Sequence, residues 1–141
     1  MTQKKRVLIL CTGNSARSQM AEVLLRELGE GNFEVESAGV APSRVRREAV
    51  EAMREIGIDI SNHRSKSVDE FTGQNFDYII TVCDNAKETC PVFSGSATRI
   101  HQSFTDPPPE NVGDYELRLK IFRAVRDQLR EWLTDFIRKH K

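Results

Sequence analysis

A chain of 141 residues suits a single domain, residues 1–141, with a core large enough to fold without staples. Its 21 basic and 21 acidic residues cancel, which gives no reason to expect a nucleic-acid partner or a membrane surface. The short apolar run after Lys4, Lys5 and Arg6 cannot serve as a secretory or membrane-spanning segment. The sequence therefore predicts a cytoplasmic protein, whose cysteines point to redox, catalytic or metal chemistry rather than structural disulfides.

Val7 to Leu10 predicts a first strand. Ala21, Leu24, Leu25 and Leu28 then recur at helical spacing up to Gly29, and Phe33 and Val35 alternate with polar residues in a second strand over 32–37. Ala38 to Pro42 turns the chain into a second helix marked by Ala49, Val50, Met53 and Ile56 and ended by Gly57. Its charged remainder, with Arg46, Arg47 and Glu48, reads as a solvated face. Ile58 to Lys66 is turn-rich, and Val68 to Phe71 suits one helical turn. Tyr78 to Val82 is β-branched and apolar, as expected of a central strand covered on both faces. Thr98 to Gln102 is a weaker fourth strand, followed by Pro107, Pro108 and Pro109, which forbid regular structure. A long amphipathic helix closes the chain through Ile121, Phe122, Val125, Leu129, Trp132, Leu133 and Phe136, with Trp132 read as core. Strands alternating with helices predict an α/β fold, a four-stranded parallel sheet with helices on both faces. Cys11, Cys83 and the loop bearing Asp106 each follow a strand, so they should converge at the edge where such sheets bind ligands.

The stretch Cys11-Thr12-Gly13-Asn14-Ser15-Ala16-Arg17-Ser18 joins the first strand to the first helix. Residues 12–16 are short or flexible enough to curl with their N–H groups inward, and Gly13 and Asn14 tolerate positive φ. Such a nest at a helix N-terminus attracts a tetrahedral oxyanion, and Arg17 offers it a planar fork. The same field should make Cys11 largely thiolate near neutrality, with a hydrogen bond from Ser18. A lone cysteine at a strand end is ordinarily a small buried hydrophobe, but that reading leaves the register of Cys, Gly, Asn, Arg and Ser to accident.

With Asp106-Pro107 late in the chain, these residues resemble the low-molecular-weight phosphotyrosine phosphatase superfamily. Cys83 and Cys90 make the chain similar, within it, to the thioredoxin-coupled arsenate reductases. The likeness runs from Val7 to the last helix. It implies Asp106 as proton donor, although Thr105-Asp106-Pro107 taken alone is ordinary turn chemistry. It also implies a relay: Cys11 attacks arsenate, Cys83 attacks the Cys11 sulfur, Cys90 attacks Cys83, and thioredoxin reduces the last disulfide. A helical 84–89 segment would hold the Cα atoms of Cys83 and Cys90 roughly 10 Å apart. A disulfide needs less than about 7 Å, so that segment would have to unwind.

Two departures from the family pattern stand out. Ala16 replaces a cysteine found in many such reductases. Lys66 stands where potassium-binding relatives carry an aspartate beside residues matching Asn14, Glu22 and Ser37, so its ammonium is expected to pair with Glu22 and brace Asn14 without potassium. Pro108, Pro109, Glu110 and Asn111 replace the aromatic wall of phosphotyrosine-binding relatives, which suits a small oxyanion such as arsenate. Competing readings are a phosphatase using Cys11, Arg17 and Asp106, and a non-catalytic oxyanion-binding or redox-sensing module. Zinc held by the cysteines with His63 or His101 is disfavoured by the six-residue gap between Cys83 and Cys90. The expectation is a monomer without metal or other cofactor.

Overall fold

A computed structural model describes residues 4–83 and 97–140 of the chain. Strands β1 (Lys5–Cys11), β2 (Phe33–Gly39), β3 (Tyr78–Thr81) and β4 (Thr98–His101) form one parallel sheet in the order β2-β1-β3-β4. The described helices are α1 (Arg17–Leu28), α2 (Arg47–Arg54) and α3 (Tyr115–His140), with a 3-10 turn at Val68–Phe71. Val7, Leu8, Ile9 and Leu10 of β1 are buried whichever face they point to, as a strand covered on both sides requires. The chain leaves β1 for β2 on one side and later returns to β3 on the other. The C-terminal end of β1 therefore lies at the switch in strand order, where open parallel sheets leave a crevice.

Helix α3 packs against both α1 and α2. Its buried stripe, Leu119, Phe122, Val125, Leu129, Leu133 and Phe136, follows the helical repeat. Its start lies before the first residue of the predicted stripe, where Asp114 Oδ1 accepts from Leu117 N at 2.8 Å. Trp132 is half-buried: it stacks on Phe136 and meets Phe104 edge-on, with its other side on a groove shared with Gln128 and Arg138. Helix α2 stops at Arg54, short of Ile56, and Gly57 supplies the positive φ of 83° that turns the chain out. Gly29 ends α1 differently, with an ordinary φ of −76°, because a Cβ there would lie 2.7 Å from Phe33 and 2.8 Å from the Leu25 carbonyl. The charged run at α2 is not a solvated face: Glu48 is fully buried, held by Arg46 and Arg118.

Candidate active site

The loop after β1 turns its carbonyls outward, and each has a donor. Cys11 O accepts from Val40 N (3.3 Å), Thr12 O from Ala41 N (2.9 Å), Gly13 O from Ser43 N (3.1 Å) and Ser15 O from Arg46 N (2.9 Å). Ser65 Oγ adds a bond to Gly13 O at 2.7 Å, and Gln19 Nε2 reaches Asn14 O at 3.2 Å. With the carbonyls engaged on the convex side, the intervening N–H groups are left to the concave side. Helix α1 begins there without a side-chain cap on its first turn, so its dipole also faces the cup. Asn14 takes the left-handed conformation (φ 49°), whereas Gly13 does not. The conformational demand anticipated at two positions thus falls on Asn14. A less visible requirement falls on Gly39, where a Cβ would sit 2.5 Å from Thr12 O and 2.9 Å from Asn14 N. The end of β2 must carry no side chain for the cup to lie against it.

The sheet edge brings the predicted groups together. Cys11 and Cys83, both buried free thiols, lie side by side, close enough for each to act on the other's proton, and Thr12 Oγ1 lies 3.2 Å from Cys83 Sγ. Arg17 donates to Phe104 O and to Asp106 Oδ1, each at 3.2 Å. Asp106 is exposed, while Pro107 behind it is buried. The expectation of a Cys11 thiolate in the free site is corrected here. The neighbouring Cys83 thiol and burial push the Cys11 thiol well above the ordinary range, outweighing the pull of Arg17 and of the Asn14 amide. Ser18 also differs: its hydroxyl accepts from Asn14 Nδ2 at 2.7 Å rather than bonding Cys11. Cys90, and the 84–89 segment whose unwinding the sequence reading requires, lie outside the described residues.

Behind the cup a buried network holds Asn14. Its Nδ2 donates to Ser18 Oγ and Ser37 Oγ, the latter at 3.0 Å, and its Oδ1 accepts from Lys66 N (2.8 Å) and Gln19 Nε2 (2.9 Å). Ser37 Oγ donates in turn to Glu22 Oε1 at 2.6 Å. Burial pushes the Glu22 carboxyl up, but Ser37, Lys66 and Arg26 together leave it below the usual glutamate range. Lys66 Nζ lies 3.3 Å from Glu22 Oε1 and 2.8 Å from Glu36 Oε2, so the ammonium is shared between two carboxylates while the lysine's main chain braces Asn14. A fixed cation thus lies against Glu22, on the carboxylate that the sequence reading paired with it. Sequence reasoning missed Gln19, Glu36, Ser65 and Gly39. Gly39 sits at the register position opposite Cys11, but only the folded pairing reveals that neighbour. His63 and His101 are engaged by Gln19 and Thr81.

The family model for low molecular weight phosphotyrosine protein phosphatase matches residues 6–141. The chain belongs to that family. It is 39% identical over 133 residues to an arsenate reductase from Halalkalibacterium halodurans, covering 94% of this chain and 95% of that protein. Among solved structures, an arsenate reductase in oxidized state superposes with a TM-score of 0.77 at 32% identity, covering 96% of this chain and 98% of the other. A low molecular weight protein tyrosine phosphatase from T. tengcongensis gives a TM-score of 0.77 at 26% identity, covering 96% and 99% of the two chains. Among the described residues no helix is long and apolar enough to cross a membrane.

Proposed function

We propose that this family member is an arsenate reductase working through Cys11, Cys83 and Cys90. The observation that carries the reading is the second thiol in the cup: the buried Cys83 thiol lies beside Cys11, its Sγ 3.2 Å from Thr12 Oγ1 of the loop that an oxyanion would meet. Hydrolysis of a phosphate ester needs one thiolate and a water, and gives a second buried thiol no task. Reduction of As(V) needs two electrons, which a pair of thiols supplies. The arsenate reductase names of the relatives agree with this assignment.

Each step conserves atoms and electrons. Cys11 passes its proton to an arsenate oxygen as it attacks, an As–S bond forms and that oxygen, taking a second proton from Asp106, leaves as water, arsenic remaining As(V). Cys83 then attacks the Cys11 sulfur. The S–S bond forms as the As–S bond breaks, and its electron pair departs with arsenite, As(III). Cys90 attacks Cys83, releases Cys11 as a thiolate and leaves a Cys83–Cys90 disulfide, which a thioredoxin dithiol reduces. The anion is held by the N–H groups of Thr12 to Arg17 and by the Arg17 guanidinium.

The test is arsenate-dependent NADPH consumption with thioredoxin and thioredoxin reductase, against blanks lacking arsenate or thioredoxin. Sustained turnover needing both, lost in Cys11→Ser, Cys83→Ser and Cys90→Ser, is expected. Absent turnover, with hydrolysis of a small aryl phosphate that survives Cys90→Ser, would assign the site to phosphatase chemistry instead. The Arg17–Asp106 pair beside Cys11 is the observation that favours that second reading.

A further inference from the structure

Among the described residues, Glu48 is the most deeply buried carboxylate outside the anion loop's own network, with 0% of its surface exposed, although it lies in the first turn of α2. Its Oε2 accepts from Arg46 Nη2 and from Arg118 Nε, both at 2.8 Å. Each arginine then makes further contacts, and these converge on the proline-rich loop that follows Asp106. Arg46 Nη2 donates to Pro108 O at 3.0 Å, and its Nε lies 3.4 Å from Glu110 Oε1. Arg118 Nη1 donates to Val112 O at 3.2 Å and Gly113 O at 2.7 Å. Arg44 closes the exposed end by donating to both Glu110 oxygens at 2.5 Å. The Arg46 main chain, meanwhile, donates to Ser15 O of the anion loop, and its guanidinium rests 5.0 Å from the centre of the Phe122 ring. One residue thus ties the anion loop by its backbone and the acid loop by its side chain.

Energetics decides what such a cluster is for. Taking a carboxylate out of water costs several kcal/mol, and a buried ion pair recovers that cost with little surplus. An apolar residue would hold α2 to α3 as well. The loop itself has Pro107, Pro108 and Pro109 and little backbone bonding of its own, Val112 N to Pro109 O at 3.1 Å being its internal turn. What the cluster provides, and an apolar contact would not, is direction: fixed donors aimed at three loop carbonyls.

We infer that Glu48 is a positioning residue, which holds Arg46 and Arg118 so that they fix residues 108–113 and thereby hold Asp106 over Arg17 and the anion cup. This rests on the reading of Asp106 as the proton donor.

The experiment is a double-mutant cycle on single-turnover arsenite release by the full-length reduced protein, comparing wild type, Asp106→Asn, Glu48→Gln and the pair. Asp106→Asn is expected to slow release by about a hundredfold. Glu48→Gln is expected to slow it about tenfold when Asp106 is present, and by less than about twofold when Asp106 is already asparagine. Phosphate inhibition should be unchanged by Glu48→Gln in either background. Arg118→Lys serves as the second variant should Glu48→Gln fail to fold. It keeps a cation beside Glu48 but cannot reach the carboxylate and the loop carbonyls together, and it should show the same background dependence. Equal slowing in both backgrounds, or no slowing by Glu48→Gln or Arg118→Lys while Asp106→Asn remains slow, overturns the positioning role alone. A fully active Asp106→Asn overturns the acid assignment, and the positioning role with it.

Discussion

Arg17 Nη2 lies 3.2 Å from Asp106 Oδ1, so in the free protein the cation expected to grip the anion is paired with the expected proton donor. On the proposed reading, an arriving oxyanion would set the two in competition: the guanidinium would turn its fork to the anion and leave the carboxyl beside the oxygens it would protonate. Asp106→Asn should therefore separate binding from chemistry. Turnover is expected to fall by about a hundredfold or more. Affinity for phosphate should hold or increase, because Arg17 loses its charged partner. Phosphate protection of melting temperature, measured beside single-turnover arsenite release, checks both arms, and a parallel loss of the two would mean that Asp106 serves binding.

Cys83 stands as a partner that holds the Cys11 proton. Cys83→Ala removes the largest of the influences raising Cys11, leaving burial to oppose Arg17 and the Asn14 amide. The Cys11 titration should move to lower pH. Its alkylation by iodoacetamide at neutral pH should quicken by about tenfold for every pH unit that the midpoint falls. Alkylation of the Cys11 peptide followed across pH by mass spectrometry reads this directly. An unmoved profile would show that burial alone sets the thiol.

The place of the loop between β1 and α1 was legible in the sequence because its short, flexible residues are consecutive, and β1 and α3 were legible because their periodicity is unbroken. The alternation of elements announced the parallel sheet. What stayed hidden depends on partners far apart in the chain. Glu48 looks like surface until α3 delivers Arg118 to it, 70 residues away. Lys66 was expected to meet Glu22, but the share taken by Glu36 needs the β2 pairing in hand. The Cys11 thiolate was argued from the helix dipole and Arg17, both present; Cys83 was expected at the same edge, but its opposing effect on the Cys11 proton, with that of burial, was left out of the argument.

Gly39 offers a test of the cup's shape. A Cβ there meets backbone atoms, Thr12 O at 2.5 Å and Asn14 N at 2.9 Å, which cannot swing aside as a side chain would. Gly39→Ala is expected to cost about 1–3 kcal/mol and to displace the loop, abolishing the rise in melting temperature that phosphate gives the wild type. Gly31→Ala is the control: its φ of 86° strains an alanine, but nothing lies within 4 Å of the added methyl. That variant should lose about 1 kcal/mol and keep the full response to phosphate. If Gly39→Ala also kept the response, the close packing of β2 against the loop would be dispensable for anion binding.

Lys66 and Glu22 tie the bracing network to both salt and pH. Because the lysine ammonium lies against Glu22, potassium chloride and sodium chloride at equal ionic strength should leave activity and melting temperature the same. Lys66→Met leaves Glu22 with Arg26 at 2.8 Å and the His63 ring at 3.9 Å, and should cost about 1–3 kcal/mol at neutral pH. The sign of the pH effect follows from Glu22, whose carboxyl is held below its ordinary value near 4.5. That stabilisation is fully present above the ordinary value and is lost as pH falls through the lowered one, once the folded state too takes up the proton. Melting temperature in the wild type should therefore decline as pH falls below about 5. In Lys66→Met, where Glu22 is lowered less, the decline should be shallower and the two curves should converge in acid. Parallel curves would place the lysine's contribution outside Glu22, on Glu36 or on the Phe71 ring that its ammonium approaches at 5.5 Å.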